Sequence, residues 1–372
     1  MAALALATLA GLVVLWPGDV DQKLGQGLTG PSERAEIQQI KSFPCSGFQT
    51  QECRDVVIKL ETGPDDGRRA TIRLGAGGLD PDLSVGDQVR VAKGQAAPGT
   101  PPLYTLTDFE RRTPMLLLAG MFVLCVVAFG RMRGALSLVG LAVSLSVIVA
   151  FVAPAILDGK EPLAVAVIGS LAVMISTITL AHGMGPKSLA ALLGTAGALF
   201  LTVGLAVLFT DLTHLTGLAS EEATVLQVNG TGVELKGLLI AGMVIGALGV
   251  LDDVTISQSA IVLALRGANP GLGFRELFAR ALDVGRDHVS ATVNTLVLAY
   301  AGASLPLLLV FTSGRLGVLE AANLELVASE IVATLVGSLG LIAAVPITTA
   351  FAALLSEGLP AGELAAESAH QH

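Results

Sequence analysis

The stretch GALGVLDDVTISQSA, residues 246–260, places two adjacent carboxylates inside one of the most apolar parts of the chain. Apart from Asp252 and Asp253, no charged residue occurs between Lys236 and Arg266. A charged side chain is costly in an apolar environment, so such residues usually face a helix bundle or a water-filled path. The pair therefore indicates long helices in an apolar environment, and it marks the place where function is expected.

The composition is that of a helical membrane protein. Of the 372 residues, 52% are hydrophobic and only 14% are charged, whereas about a quarter of the residues in a soluble protein are charged. Apolar runs longer than an ordinary core helix recur from residue 114 onward. The net charge of −9 argues against a nucleic-acid partner, and no motif predicts an enzyme, a cofactor or a metal site.

We predict an α-helical polytopic membrane protein with about eight spans. The helical membrane domain occupies residues 113–356. The predicted spans are roughly 2–16, 114–130, 134–152, 163–181, 189–210, 237–264, 289–311 and 331–355.

Basic residues in alternate loops predict the orientation. Arg131 and Arg133 follow the second span, Lys187 follows the fourth, and four arginines separate the sixth from the seventh. Because positively charged loops remain in the cytoplasm, we expect a bacterial inner-membrane protein with both termini in the cytoplasm. Residues 1–16 are then an anchor or a cleaved signal segment, and the tail 357–372 is expected to be disordered.

Residues 17–112 form the one sizeable polar segment of the sequence. The predicted orientation puts this segment outside the cytoplasm. Alternating stretches separated by Gly, Pro and Asp turns predict four or five short strands, and hence a small all-β barrel of OB-like type. Cys45 and Cys53 fall in this segment, where a disulfide can persist; two unpaired thiols are the alternative.

Helical periodicity places small and polar residues of the sixth span on one face. Gly242, Gly246, Gly249, Asp253 and Ser257 follow one another at spacings of three or four. Small residues let helices approach closely in lipid. We therefore expect this face to pack tightly against a neighbouring helix, with the aspartate pointing into the contact.

Other polar residues surround the pair. Asp252 lies about 100° around the helix, with Thr255 on its flank and Gln258 one turn further on. Asn294 and Thr295 of the seventh span are candidate partners. Two ordinary alternatives remain open: the pair caps the sixth span at the cytoplasmic surface, and the seventh-span residues are interhelical hydrogen-bond formers.

The runs GVLDDVTISQSA, RELFARALDVGRDH and VNTLVLAYAGASLPLLL resemble the YibE/F-like family of bacterial multi-pass membrane proteins. This resemblance implies a membrane protein and brings no established activity. The order of Asp-pair helix, basic helix and Asn- and Thr-rich span is also similar to resistance-nodulation-division transporters and to the translocation subunit SecD. That second similarity implies a transporter-like core over residues 163–356, with a homodimer or a paired membrane subunit supplying a missing half.

The hypothesis that follows is a proton-coupled transporter or export-assisting permease in the lipid bilayer, with an unknown substrate and no covalent chemistry. Two adjacent carboxylates cannot easily both ionise in a low dielectric, so one is expected to bind and release a proton. The alternative is a non-transporting scaffold whose outside β-domain binds a protein or envelope component. The residues predicted to relay protons are Asp252, Asp253, Thr255, Ser257, Gln258, Asn294 and Thr295.

Overall fold

The protein was analysed as a computed structural model, which describes residues 1–18, 32–44, 52–75, 81–94, 102–228, 232–314 and 317–357. The chain divides into two compact units, Asp21–Cys125 on the one hand and Met1–Val20 with Val126–His372 on the other. The tail that was expected to be disordered lies almost wholly outside the described residues.

The first unit contains a five-stranded antiparallel sheet in the order β3-β2-β1-β4-β5. β1 is the central and longest strand, and the described residues leave β3 and β5 as unpaired edges. The small all-β domain is therefore confirmed, and its described residues form a half-barrel sheet. The strands are β1 Ser32–Pro44, β2 Glu52–Leu60, β3 Arg69–Leu74, β4 Gln88–Lys93 and β5 Tyr104–Phe109.

Hydrogen bonds to the carboxylate of Asp65 fix the turn between β2 and β3. Asp65 is nearly buried and accepts hydrogen bonds from Lys93, from Tyr104 Oη at 2.7 Å and from Arg68 at 2.6 Å. These donors hold the pKa of Asp65 well below its usual range. Burial, together with the neighbouring carboxylate, raises the pKa of Tyr104 to about 12.

The second unit is helical, and α2 runs into it from the first unit. A π-helical segment, Ile148–Val152, links α2 to α3. The helices are α1 Ala2–Val14, α2 Arg112–Val147, α3 Ala153–Leu157, α4 Pro162–His182, α5 Pro186–Leu212, α6 Glu221–Val228, α7 Leu235–Ala268, α8 Phe274–Ala303, α9 Leu305–Ser313, α10 Val318–Ala322 and α11 Glu325–Ser356.

Among the described residues, five helical segments are long and apolar enough to cross a membrane, or six if the bent pair α8 and α9 forms one span. The prediction of eight spans is thus not confirmed. The first predicted span is only the 13-residue α1. The predicted spans 114–130 and 134–152 fall within one helical run, Arg112–Leu157.

That helical run is interrupted at Arg131, whose φ of 50° and ψ of −129° are not helical. The Val126 carbonyl lies where a Cβ on Gly134 would be. Residues eight apart in a straight helix are separated by about 12 Å, so the chain bends sharply here. Glycine is required because any side chain would overlap the carbonyl.

Helices α5, α7 and α11 form the centre of the bundle and pack through small residues. A Cβ on Gly194 of α5 would overlap Thr348 of α11, and a Cβ on Gly340 of α11 would overlap Thr202 of α5. Such close approach increases van der Waals contact, which drives helix association in lipid.

Candidate functional site

Asp252 is held at the contact between α4 and α7. Thr177 Oγ1 on α4 donates a hydrogen bond of 3.1 Å to Asp252 Oδ2. The other carboxylate oxygen, Oδ1, is buried and has no partner in the part of the chain that the structure describes. A buried acceptor without a partner is destabilising, most of all when the group is charged. Oδ1 is therefore the atom at which a proton or a water would be bound.

A cavity of about 240 Å³ lies beside the pair, between α2, α4 and α7. Since one water occupies about 30 Å³ of liquid volume, the cavity has room for several. Roughly half of its surface is polar, in contrast to the apolar surroundings of the helices. The polar side chains that line it are Ser137, Ser144, Thr177, His182, Asp252 and Asp253.

The cavity lies near the end of α4 and at the middle of α7. Thr177 precedes His182, the last residue of α4, by five residues or about 8 Å of helix. Asp252 lies 17 residues after Leu235, where α7 begins, and 16 residues before Ala268, where α7 ends. The cavity is therefore close to the end of α4 that precedes Lys187, on the predicted cytoplasmic side, while α7 continues for about four turns past the carboxylate.

The pair does not cap a helix end, because α7 continues to Ala268. The carboxylates therefore do not cap the helix, and their burial within the sixth span stays a prediction. The two carboxylates differ in their surroundings. Asp252 is half-buried against α4, whereas Asp253, which was expected to point into a tight helix contact, is exposed.

The glycine face of α7 is open among the described residues of this chain, so its expected packing against a neighbouring helix stays a prediction. No atom of the described residues lies within 4 Å of a Cβ built on Gly242 or on Gly249. A Cβ on Gly246 would meet only the Tyr300 hydroxyl, at 3.3 Å. The buried side of α7 instead carries bulky residues such as Leu251, because these fill the core.

Thr255 and Gln258 join helices and do not line the cavity. Thr255 Oγ1 lies 2.6 Å from Thr195 Oγ1 of α5, and both side chains are fully buried. Gln258 Nε2 donates to the Ala281 carbonyl at 2.9 Å and to Thr349 Oγ1 at 2.8 Å. These contacts fix α7 against α5, α8 and α11 within two turns of the carboxylates.

The remaining predicted residues are not brought to the pair. Ser257 is half-buried outside the cavity lining, and Asn294 and Thr295 are exposed on α8. Thr295 Oγ1 donates to the Ala291 carbonyl of its own helix at 3.0 Å. The expected basic helix and the seventh predicted span form one continuous helix, α8.

The predicted disulfide between Cys45 and Cys53 lies only partly within the described residues. Cys53 lies buried at the start of β2, and its proposed partner Cys45 lies outside the described residues. The disulfide stays a prediction. Cys125 is exposed in α2 with a free thiol.

A family model described as YibE/F-like protein matches residues 118–358, nearly two thirds of the chain. The matched region contains the cavity and both carboxylates. The comparison with curated proteins and the comparison with solved structures each found no match.

Proposed function

The chain belongs to the YibE/F-like family and is an integral membrane protein, and from this premise we propose that it is a proton-coupled transporter or export-assisting permease in which Asp252 carries the proton. The bacterial inner membrane is the proposed location, with residues 17–112 outside the cytoplasm. The transported substrate remains open.

One observation carries the proposal: Asp252 offers an unpartnered oxygen beside a polar cavity in an otherwise apolar bundle. No Lys or Arg among the described residues lines this cavity, so neither offers the carboxylate a counter-charge there. Protonation removes the charge and with it most of the cost of burial. Binding and release of a proton therefore change the energy of the contact between α4 and α7, which is what coupling requires.

Asp253 and His182 lie where a proton from the cytoplasm would enter the cavity. Both line the same cavity, and His182 terminates α4 on the predicted cytoplasmic side. Asp253 is the more exposed carboxylate, so it attracts water and cations to the entrance. In this proposal Asp252 is the carrier, and Asp253 supplies it from the cytoplasm.

The path to the outside is proposed to run along the open glycine face of α7. Gly242 lines a second cavity, of about 350 Å³, and Gly249 lies one turn before Asp253. A homodimer partner or a paired subunit seated on this face would exclude lipid from the path. The predicted membrane partner would thus contact the glycine face of α7.

The test uses purified protein in lipid vesicles that enclose a pH-sensitive dye, with potassium and valinomycin preventing a build-up of charge. An imposed pH gradient should dissipate faster than in empty vesicles. Asp252→Asn should reduce this flux at least tenfold. Asp283→Asn is the matched control, since Asp283 is exposed on α8 and pairs only with Arg286.

Two outcomes would contradict the proposal. If Asp252→Asn vesicles dissipate the gradient as fast as wild-type vesicles, the carboxylate carries no proton. If wild-type vesicles are as tight as empty ones, the scaffold function of the outside β-domain is favoured.

A further inference from the structure

A third cavity, larger than the two described above, lies where α8 ends. α8 ends at Ala303, and α9 begins at Leu305 at an angle of 62°. Pro306, in the first turn of α9, has no N–H and cannot continue the preceding helix, which accounts for the break. Between α8, α9, α10 and α11 the bend leaves a cavity of about 610 Å³. This volume is within the range of small-molecule sites.

The surface of this cavity is overwhelmingly apolar, with Leu308, Phe311 and Ile331 among its lining residues. The hydroxyls of Thr312 and Thr334 donate to carbonyls of their own helices, at 2.7 Å each. These hydroxyls are therefore already partnered.

Three polar groups of the lining remain for a ligand, the carboxylate of Glu330 and the hydroxyls of Tyr300 and Ser304. Among the residues that the structure describes, Glu330 forms no ion pair and no basic side chain lines the cavity. A half-buried carboxylate in an apolar cavity is unfavourable without a counter-charge.

We propose that this cavity binds a lipophilic organic cation. The apolar body of the ligand lies between α9 and α11, and its positive charge lies beside Glu330. The Tyr300 ring borders the same space and offers its electron-rich face to the cation. An alkyl chain of a membrane lipid would fill the apolar volume but leave the carboxylate unpaired, and an anion would be repelled by it.

No described residue lines both this cavity and the cavity beside Asp252. Tyr300 and Glu330 do line the cavity beside Gly242 as well, which lies on the proposed outward path. The binding proposal goes beyond the proposed function and does not rest on it, because binding at equilibrium needs no transport. Where both hold, the cation is the substrate class that the transporter moves.

The experiment measures equilibrium binding of radiolabelled tetraphenylphosphonium to the full-length protein in nanodiscs of zwitterionic lipid. Tetraphenylborate, of nearly the same size and shape and opposite charge, is the matched probe. We expect saturable binding of the cation near one per chain, and at least tenfold weaker binding of the anion. Glu330→Gln should weaken cation binding at least tenfold, while Glu330→Asp should restore part of it.

Two further variants locate the site. Ala301→Trp fills the cavity beside Glu330 and should abolish cation binding, with an unchanged melting temperature as the check on folding. Asp252→Asn should leave binding unchanged, so a failure of proton coupling and a failure of cation binding are distinguishable. Equal binding of both probes, or undiminished cation binding in Glu330→Gln, would overturn the proposal and leave the cavity as a lipid-filled groove.

Discussion

Thr177 on α4 and Asp252 on α7, 75 residues apart in the sequence, are joined by a hydrogen bond of 3.1 Å. The bond gives the two carboxylate oxygens different roles. Oδ2 is held by the protein, whereas Oδ1 is buried without a partner among the described residues. A carboxylate fixed on one side and open on the other can exchange a proton without losing its position.

The Thr177 hydroxyl should be needed for proton flux. Thr177→Val keeps the shape of the side chain but removes the donor, whose bond to a charged acceptor contributes about 1.5–3 kcal/mol. We expect flux in dye-loaded vesicles to fall about tenfold or more, and Thr177→Ser to retain most of it. Ser176→Ala is the control, because Ser176 Oγ donates only to carbonyls of α4. Equal fluxes in the Val and Ser variants would contradict a role for the hydroxyl.

The hydroxyl pair of Thr195 and Thr255 should contribute to stability as a unit. Their oxygens are 2.6 Å apart in a fully buried contact between α5 and α7. Each Thr→Val substitution should cost about 1 kcal/mol of unfolding free energy, and the double variant less than the sum of the two. Unfolding in detergent measures this coupling. Thr210→Val with Thr255→Val should instead be additive, since Thr210 lies four turns further along α5.

The sequence predicted which residues of α7 share a face, but not which face is buried. Gly249 and Asp253 do lie on one side, as their spacing requires, yet that side is open and Leu251 lies in the core. In a soluble protein the apolar side of a helix identifies the core. In lipid both sides are apolar, so periodicity cannot make that choice.

The hydrogen-bond partner of Asp252 could not be predicted from the sequence either. Thr177 has no feature that separates it from Thr202, a hydroxyl residue of α5 that bonds only its own helix. The fold places Thr177 beside Asp252 through packing between distant helices. By contrast, the strands of the first unit could be predicted, because alternation and turn residues are local signals.

Gly285 should be intolerant of any side chain. A Cβ there would lie 2.6 Å from both Gln258 Oε1 and Val345 Cγ1, closer than unbonded atoms pack. Gly285→Ala should lower the unfolding free energy by about 1–3 kcal/mol and disturb the Gln258 bridge to α8. Gly302→Ala is the matched control on the same helix, since nothing among the described residues lies within 4 Å of its Cβ. Similar thermal unfolding of the two variants would contradict the close approach.

Tyr104 should ionise only at high pH, and Asp65 should be one reason. The chain has two tyrosines, so Tyr300→Phe leaves Tyr104 as the sole source of tyrosinate absorbance. Because burial and the Asp65 carboxylate raise the pKa of Tyr104 to about 12, about a tenth of it should be ionised at pH 11. The added Asp65→Asn substitution should increase that fraction several-fold.

The same shift predicts a loss of stability in alkali. The folded pKa of Tyr104 lies above its unfolded value of about 10, so its contribution is fully present below pH 10 and is lost as the pH rises towards 12. Unfolding midpoints should therefore fall over this range, and less steeply in Tyr104→Phe. An unchanged absorbance titration in Asp65→Asn would show that burial alone sets the pKa.

The open face of α7 should be an interface between two copies of the chain. A Leu side chain at Gly249 has room, because no described atom lies within 4 Å of its Cβ, so Gly249→Leu should not change the melting temperature. If a second copy packs against this face, the added side chain should separate the copies, lowering the protein mass in detergent from about twice 37.9 kDa to that of one chain. Gly204→Leu, at an equally open position on α5, should leave the melting temperature and the mass unchanged. A stable Gly249→Leu variant with an unaltered mass would place lipid or water on this face, and the proposed path would then need no partner.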